Sequence, residues 1–142
     1  MEATRLTAHH FKLVQDRFVA TASKLHEAGR KVIHKEINPL VALRKVFEHD
    51  EAWIVGGYLV LFNIQDTWWS DDLILAEQLV FALEPETSFG AVIEFFEAKA
   101  REAGAGYICV GTALAKSDKA LASLYIKHGF SQMAVNLAKE VT

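Results

Sequence analysis

The stretch WIVGGYLVLFNI, residues 53–64, confines this chain more than any other. Its β-branched and aromatic residues favour extended backbone, and the Gly56–Gly57 pair tolerates the positive φ that a two-residue turn needs. It is predicted to form two strands joined as a hairpin. Upstream the apolar period is helical instead: Phe11, Val14, Phe18, Ala22 and Leu25 recur at spacings of three and four. That spacing predicts an amphipathic helix, stopped near Gly29 by a left-handed cap. The following RKVIHK places cations near the helix's negative end and reads as a solvated connection. Asn38 can cap free amides and Pro39 suits a first helical position, so a second helix is expected to run to about Phe47. Arg5 to Thr7 are expected to form a short first strand.

Beyond the hairpin, DTWWSDD breaks the pattern with turn formers, and LILAEQLVFAL resumes as a β-favouring central strand ending at Glu84 and Pro85. A helix is expected next, with Val92, Ile93, Phe96, Ala100 and Ala103 on one face and Gly104 past its end. GYICVG follows as a short buried strand. In KALASLYIKHGF, Leu121, Leu124, Tyr125 and His128 share a helical face that Gly129 ends, and SQMAVNLAKEV is expected to close the chain as a final strand. The fold class is therefore α/β: one domain over residues 1–142, built on a mostly antiparallel sheet flanked by about four helices. Parallel pairing is expected where a helix crosses over.

Composition narrows the function. With 51% hydrophobic residues, nine Phe and three Trp, 142 residues can bury a real core. Fifteen basic and eighteen acidic residues leave a formal charge of −3, which argues against a general affinity for nucleic acid. The lone Cys109 cannot form an internal disulfide and points to a reducing, cytoplasmic setting. No apolar run reaches the roughly 18 residues of a membrane span, so no membrane partner is expected. His9 and His10 are adjacent, and none of the six histidines falls in a metal-binding spacing, so no metal is expected. A GxSxG elbow is absent too, and Cys109 has no cation or helix start beside it in sequence, which disfavours nucleophilic hydrolysis.

The segments LVFALEPETSFGAVIEFFEAKAREAGAGYICVG and LYIKHGF, in that order, resemble the Gcn5-related N-acetyltransferases, the GNAT family. The preceding strand, paired helices and hairpin match as well, so the resemblance covers most of the chain. The segment running from GGYLVLFNIQDTWWSDD through LAEQLVF is also similar to small acetyltransferase-like proteins of tailed bacteriophages. The family resemblance implies a GNAT-like fold, acetyl-CoA (coenzyme A) as cofactor, and an amine on a small molecule or protein as acceptor. It also implies that Tyr125 lies near the cofactor sulfur and protonates the leaving thiolate. Bases sit on the central strand in such proteins, and an Asn often touches the cofactor where this chain has Asp118. There, too, the backbone of Phe81 and Leu83 would pair with the pantetheine arm if the central strand splays from YICVG.

The residues themselves allow more than one reading. A helix N-terminus offers unpaired amides and about half a positive charge, so Ser88, Phe89, Gly90, Ala91 and Val92 could seat a diphosphate. The loop PETSFGA departs from the family pattern: it has one glycine, and Glu84 and Glu86 stand where a cation would help. Gly90 could instead serve tight packing of helix on sheet. Tyr125, with an ordinary pKa of about 10, suits a general acid or a core aromatic. Glu77, the only acid within LILAEQLVFAL, could accept a proton from an attacking amine, or could face solvent at an edge. Simple alternation puts it beside Leu75, Leu79 and Phe81, and a bulge would re-aim it. Asp118 is expected to cap the last helix. Tyr58 and the residues from Trp68 to Asp72 could line the acceptor side. Two classes remain: an N-acetyltransferase working by direct attack, and an inactive chain that keeps the fold for binding or assembly, as a homodimer or virion-associated component.

Overall fold

The structure, a computed structural model, describes residues 3–115 and 117–141. Five strands form one sheet in the order β1-β2-β3-β4-β5: Ala3–Arg5, Ala52–Val55, Tyr58–Asp66, Leu73–Ala82 and Ala105–Cys109. The first four pair antiparallel, and β5 joins β4 in parallel. The first strand lies two residues before the predicted one, although the Leu6 amide still donates to the Ala52 carbonyl at 2.9 Å.

Helices cover both faces. The Phe11–Leu25 pattern forms α1 (Phe11–Val14), a π-helical turn (Gln15–Val19) and α2 (Ala20–Ala28), closed by Gly29 at φ 54°. A short α3 (Val32–Lys35) follows, then α4 (Pro39–Glu48), where Asn38 Oδ1 accepts the Val41 amide at 3.2 Å as the sequence predicts. Val14, Phe18, Ala22, Leu43 and Val46 from these helices bury Leu59, Leu61, Leu79 and Leu83 of the sheet region. On the opposite face α5 (Phe89–Ala103) packs Val92, Phe95, Phe96 and Ala100 onto Val55, Val60, Phe62 and Leu75. The last helix is α6 (Asp118–Lys127).

Two expectations for the C-terminal part are overturned. Residues 131–141 form no strand and are exposed throughout. The GYICVG strand is correspondingly an edge, with Gly106 and Tyr107 exposed, because among the described residues nothing pairs with its outer side.

The Gly56–Gly57 turn does more than reverse the chain. Both glycines take positive φ, 54° and 84°. Their carbonyls accept the Ser88 amide at 2.8 Å and the Leu83 amide at 2.9 Å, which fixes the loop between β4 and α5. A Cβ at Gly57 would sit 2.7 Å from the Glu86 carbonyl oxygen, and one at Gly56 2.9 Å from that of Ser88. Gly57→Ala is therefore expected to combine a left-handed backbone cost of about 1–2 kcal/mol with overpacking of about 1–3 kcal/mol. Gly104→Ala, at φ 71° with open space around it, is expected to show the first cost alone. Urea denaturation of the two variants checks the difference.

Candidate functional site

β4 and β5 are paired only where Leu73–Ala76 meets Ala105–Cys109. From Glu77 to Ala82, β4 continues against β3 alone, so the two strands part and leave a wedge. The splay that the family resemblance implies is present. At its apex the β3–β4 register slips: Leu61 faces Leu79 while Phe62 faces Glu77, leaving Gln78 without a partner. This bulge reverses the alternation. Leu79 and Phe81 pack on the α1/α2/α4 face, whereas Leu75 packs on the α5 face, and Glu77, opposite Phe62, lies on the Leu75 side. Both the simple alternation and the edge position expected for Glu77 are thereby corrected.

Glu77 Oε1 accepts the Gly111 amide at 3.1 Å. Burial pushes its carboxyl from the ordinary 4.5 up to about 7, with the Gly111 amide pulling the other way. Desolvation wins because one neutral donor replaces only part of a carboxylate's hydration.

Tyr125 projects from α6 and is only 3% exposed. Its ring meets Phe89 and Phe130 edge-on at 5.0 and 5.2 Å. Its hydroxyl has no hydrogen-bond partner although it is buried, and such a group calls for one. Burial first, and the nearby Glu77 charge second, raise its pKa well above the ordinary tyrosine value. It therefore stays protonated throughout the neutral range.

At the start of α5, Ser88 is the cap: its Oγ accepts the Ala91 amide at 3.3 Å and its own amide serves Gly56. Among the described residues the Phe89 and Gly90 amides take no partner. Ala91 and Val92 are buried. Close helix-to-sheet packing does not explain Gly90, since the nearest atom to a Cβ there is His128 Cε1 at 3.9 Å; that role falls to Gly56 and Gly57. Glu84 and Glu86 are exposed, and neither carboxylate is bonded to the helix amides among the described residues. On β4, the Leu83 amide is already held by Gly57. Backbone alternation then turns Phe81 toward β3 as well, leaving Val80 and Ala82 directed at the wedge.

Two placements depart from the sequence reading. Asp118 is not the cap of α6; Ser117 is, accepting the Ala120 amide at 3.2 Å. Asp118 instead binds Lys31 Nζ at 2.6 Å and Thr112 Oγ1 at 2.7 Å, and these bonds hold its carboxyl below the usual range. The RKVIHK segment is no solvated connection: Lys31 also donates to the Thr112 carbonyl at 2.8 Å, and buried His34 bonds the Ala113 carbonyl through Nε2 at 2.9 Å. Together they fix the loop that carries Gly111. Nothing in the sequence marks these residues except an apolar Val32–Ile33 pair among the cations. Tyr58 does reach the α5 side, where its hydroxyl accepts from Thr87 Oγ1 at 3.2 Å, but Trp68 and Trp69 are exposed.

No family model matches the chain, and no curated protein does. Solved structures do. A crystal structure of a probable acetyltransferase superposes with a TM-score of 0.67 at 16% identity, over 100% of this chain and 99% of that one. An aminoglycoside acetyltransferase from an uncultured soil metagenomic sample gives 0.59 at 18%, over 99% and 98%. A transcriptional regulator from Bacillus halodurans C-125 gives 0.61 at 13%, over 99% of each chain. At these identities the likeness shows the fold: the chain has the mixed α/β, GNAT-like architecture of named acetyltransferases. The neighbours lend no support to the bacteriophage resemblance. Among the described residues no helix is long and apolar enough to cross a membrane.

A raised carboxyl pKa makes the folded state bind a proton that the unfolded chain has already released. Stability from Glu77 is thus full below about pH 4.5 and is lost as pH rises through about 7, amounting to roughly 3 kcal/mol at most. Glu77→Gln keeps an acceptor for Gly111 and cannot ionise. Its stability relative to the parent is expected to rise between about pH 5 and pH 8, as read from denaturant midpoints; parallel curves would contradict the shift.

Proposed function

We propose that the protein transfers an acetyl group from acetyl-CoA to an amine by direct attack. One observation carries this reading: a carboxylate with a pKa near 7 lies where β4 and β5 part, and its charge reaches an unpartnered buried phenol. A general base works best near the operating pH, and Glu77 meets that condition. It would take the proton of the attacking amine, directly or through one water. Tyr125, held protonated, would donate to the leaving sulfur and so acquire the partner its hydroxyl lacks.

Coenzyme A fits the rest of the arrangement. The Phe89 and Gly90 amides at the start of a 15-residue helix suit a diphosphate, and the outward backbone of Val80 and Ala82 suits an amide-bearing arm. When bound, the cofactor supplies an acetyl group activated as a thioester. Glu84 and Glu86 would offset part of the helix-dipole attraction, each such effect being about 0.3–1 kcal/mol when exposed. The acceptor would enter on the side of Tyr58 and the β3–β4 turn, as a small molecule or a protein amine. Lone Cys109, whose thiol is pushed up by burial, takes no part, and its presence fits a cytoplasmic setting.

A second reading keeps the fold for binding alone. It is favoured by the internal use of the Ser88 and Ala91 amides, which removes two of the five donors expected for a diphosphate.

Acetyl-CoA at about 100 times its dissociation constant is expected to stabilise the protein by roughly 2.7 kcal/mol in a thermal melt; no shift at millimolar cofactor would favour binding alone. In thiol-release assays against a panel of amines, Tyr125→Phe is expected to lower kcat by about 10²-fold or more with little change in KM for acetyl-CoA. Unchanged turnover would remove the acid role.

A further inference from the structure

We propose that the cavity between α2 and α3 binds a phosphate group, as the free ion or as a small monoester. The cavity, of about 220 Å³, is lined by Thr21, Lys24, Leu25 and Ala28 of α2, by Arg30, and by His34 of α3. No carboxylate stands among these residues. Lys24 and Arg30 are exposed, and among the described residues neither forms an ion pair. Lys31, the next residue after Arg30, is by contrast neutralised by Asp118 at 2.6 Å. The carbonyl end of α2 works against an anion here, but it amounts to about half a charge against two full ones.

His34 is a second and independent sign of a ligand. It borders the cavity, is 1% exposed, and has one ring nitrogen satisfied and one not. Nε2 meets the Ala113 carbonyl at 2.9 Å, and a carbonyl only accepts, so that nitrogen carries the proton. Nδ1 is buried without a partner, and such an atom calls for one. The charged groups about the ring are Lys24, Arg30, Lys31 and Asp118, and the one carboxylate among them is already held by Lys31 and Thr112. A phosphate dianion would reverse that positive balance and supply the acceptor that a protonated Nδ1 needs. A tetrahedral oxyanion also has oxygens enough for both cations, the Thr21 hydroxyl and Nδ1 together, whereas a carboxylate has two. The proposal is independent of the acyl-transfer reading, since no residue of β4, β5 or α5 lines this cavity.

The test is titration of the full chain with inorganic phosphate and, separately, with glycerol phosphate, at an ionic strength held constant with chloride. Calorimetry reads the affinity, and nitrogen-15 NMR at neutral pH reads the His34 ring. Saturable binding at a single site is expected, with the Nδ1 signal moving to that of a protonated nitrogen. Arg30→Gln and Lys24→Gln alter exposed side chains; each is expected to keep the melting transition and to weaken binding about tenfold or more, as for a lost charge-assisted hydrogen bond. Tighter binding of the ester would make the ligand a small phosphorylated molecule, and tighter binding of the ion would make it free phosphate. The proposal is overturned if neither probe saturates, if both variants bind as the parent does, or if Nδ1 stays unprotonated with the site full.

Discussion

A carboxylate taken from water must be paired, hydrogen-bonded or protonated, and Glu77 meets this constraint at the point where the sheet divides. Its partner, the Gly111 amide, belongs to the first turn of chain after β5. The bond therefore ties the two arms of the fork while leaving the space beyond them open. The remaining supports converge on it. The Gln78 bulge turns Glu77 to the α5 face, Lys31 and His34 hold the loop that presents Gly111, and the charge of Glu77 reaches buried Tyr125. A single neutral donor does not replace full hydration, so the proton is retained to about pH 7. That incomplete compensation is what equips the group to exchange a proton under ordinary conditions.

The two glycines of the hairpin act on the same region from the other side. Through the Ser88 and Leu83 amides they set the course of the chain between β4 and α5, and hence which amides at the start of α5 stay unpaired. Aromatic contacts complete the enclosure: Phe89 touches Tyr58, Tyr125 and His128 at centroid distances of 6.1, 5.0 and 5.6 Å. The first residue of α5 thus bridges hairpin, phenol and the end of the last helix. The Ser88 and Ala91 amides are given over to this bracing, which is why binding and chemistry have to be tested separately.

Much of the architecture was legible because it is encoded locally. Asn38–Pro39, Gly29, Gly56–Gly57 and Gly104 act through their own backbone preferences, and all stand where those preferences placed them. The acid could be named from its apolar surroundings, and the phenol from the family resemblance of LYIKHGF. What the sequence did not reveal depends on partners distant along the chain. The family resemblance implied a bulge near Glu77, but its place is set by register between strands, and no residue at Gln78 announces it. Lys31 and His34 read as solvated cations because their acceptors lie about 80 positions away. The SQMAVNLAKEV segment has the period of a strand, but a strand forms only where an edge receives it.

The account depends most directly on the ionisation of Glu77. Carbon-13 NMR of its side-chain carboxyl, followed through a pH titration together with the Gly111 amide nitrogen, reads that state in the folded protein. The structure requires a midpoint near 7, with the Gly111 signal moving in step as its acceptor gains and loses the proton. A midpoint near the ordinary 4.5, or a Gly111 amide indifferent to it, would contradict the account.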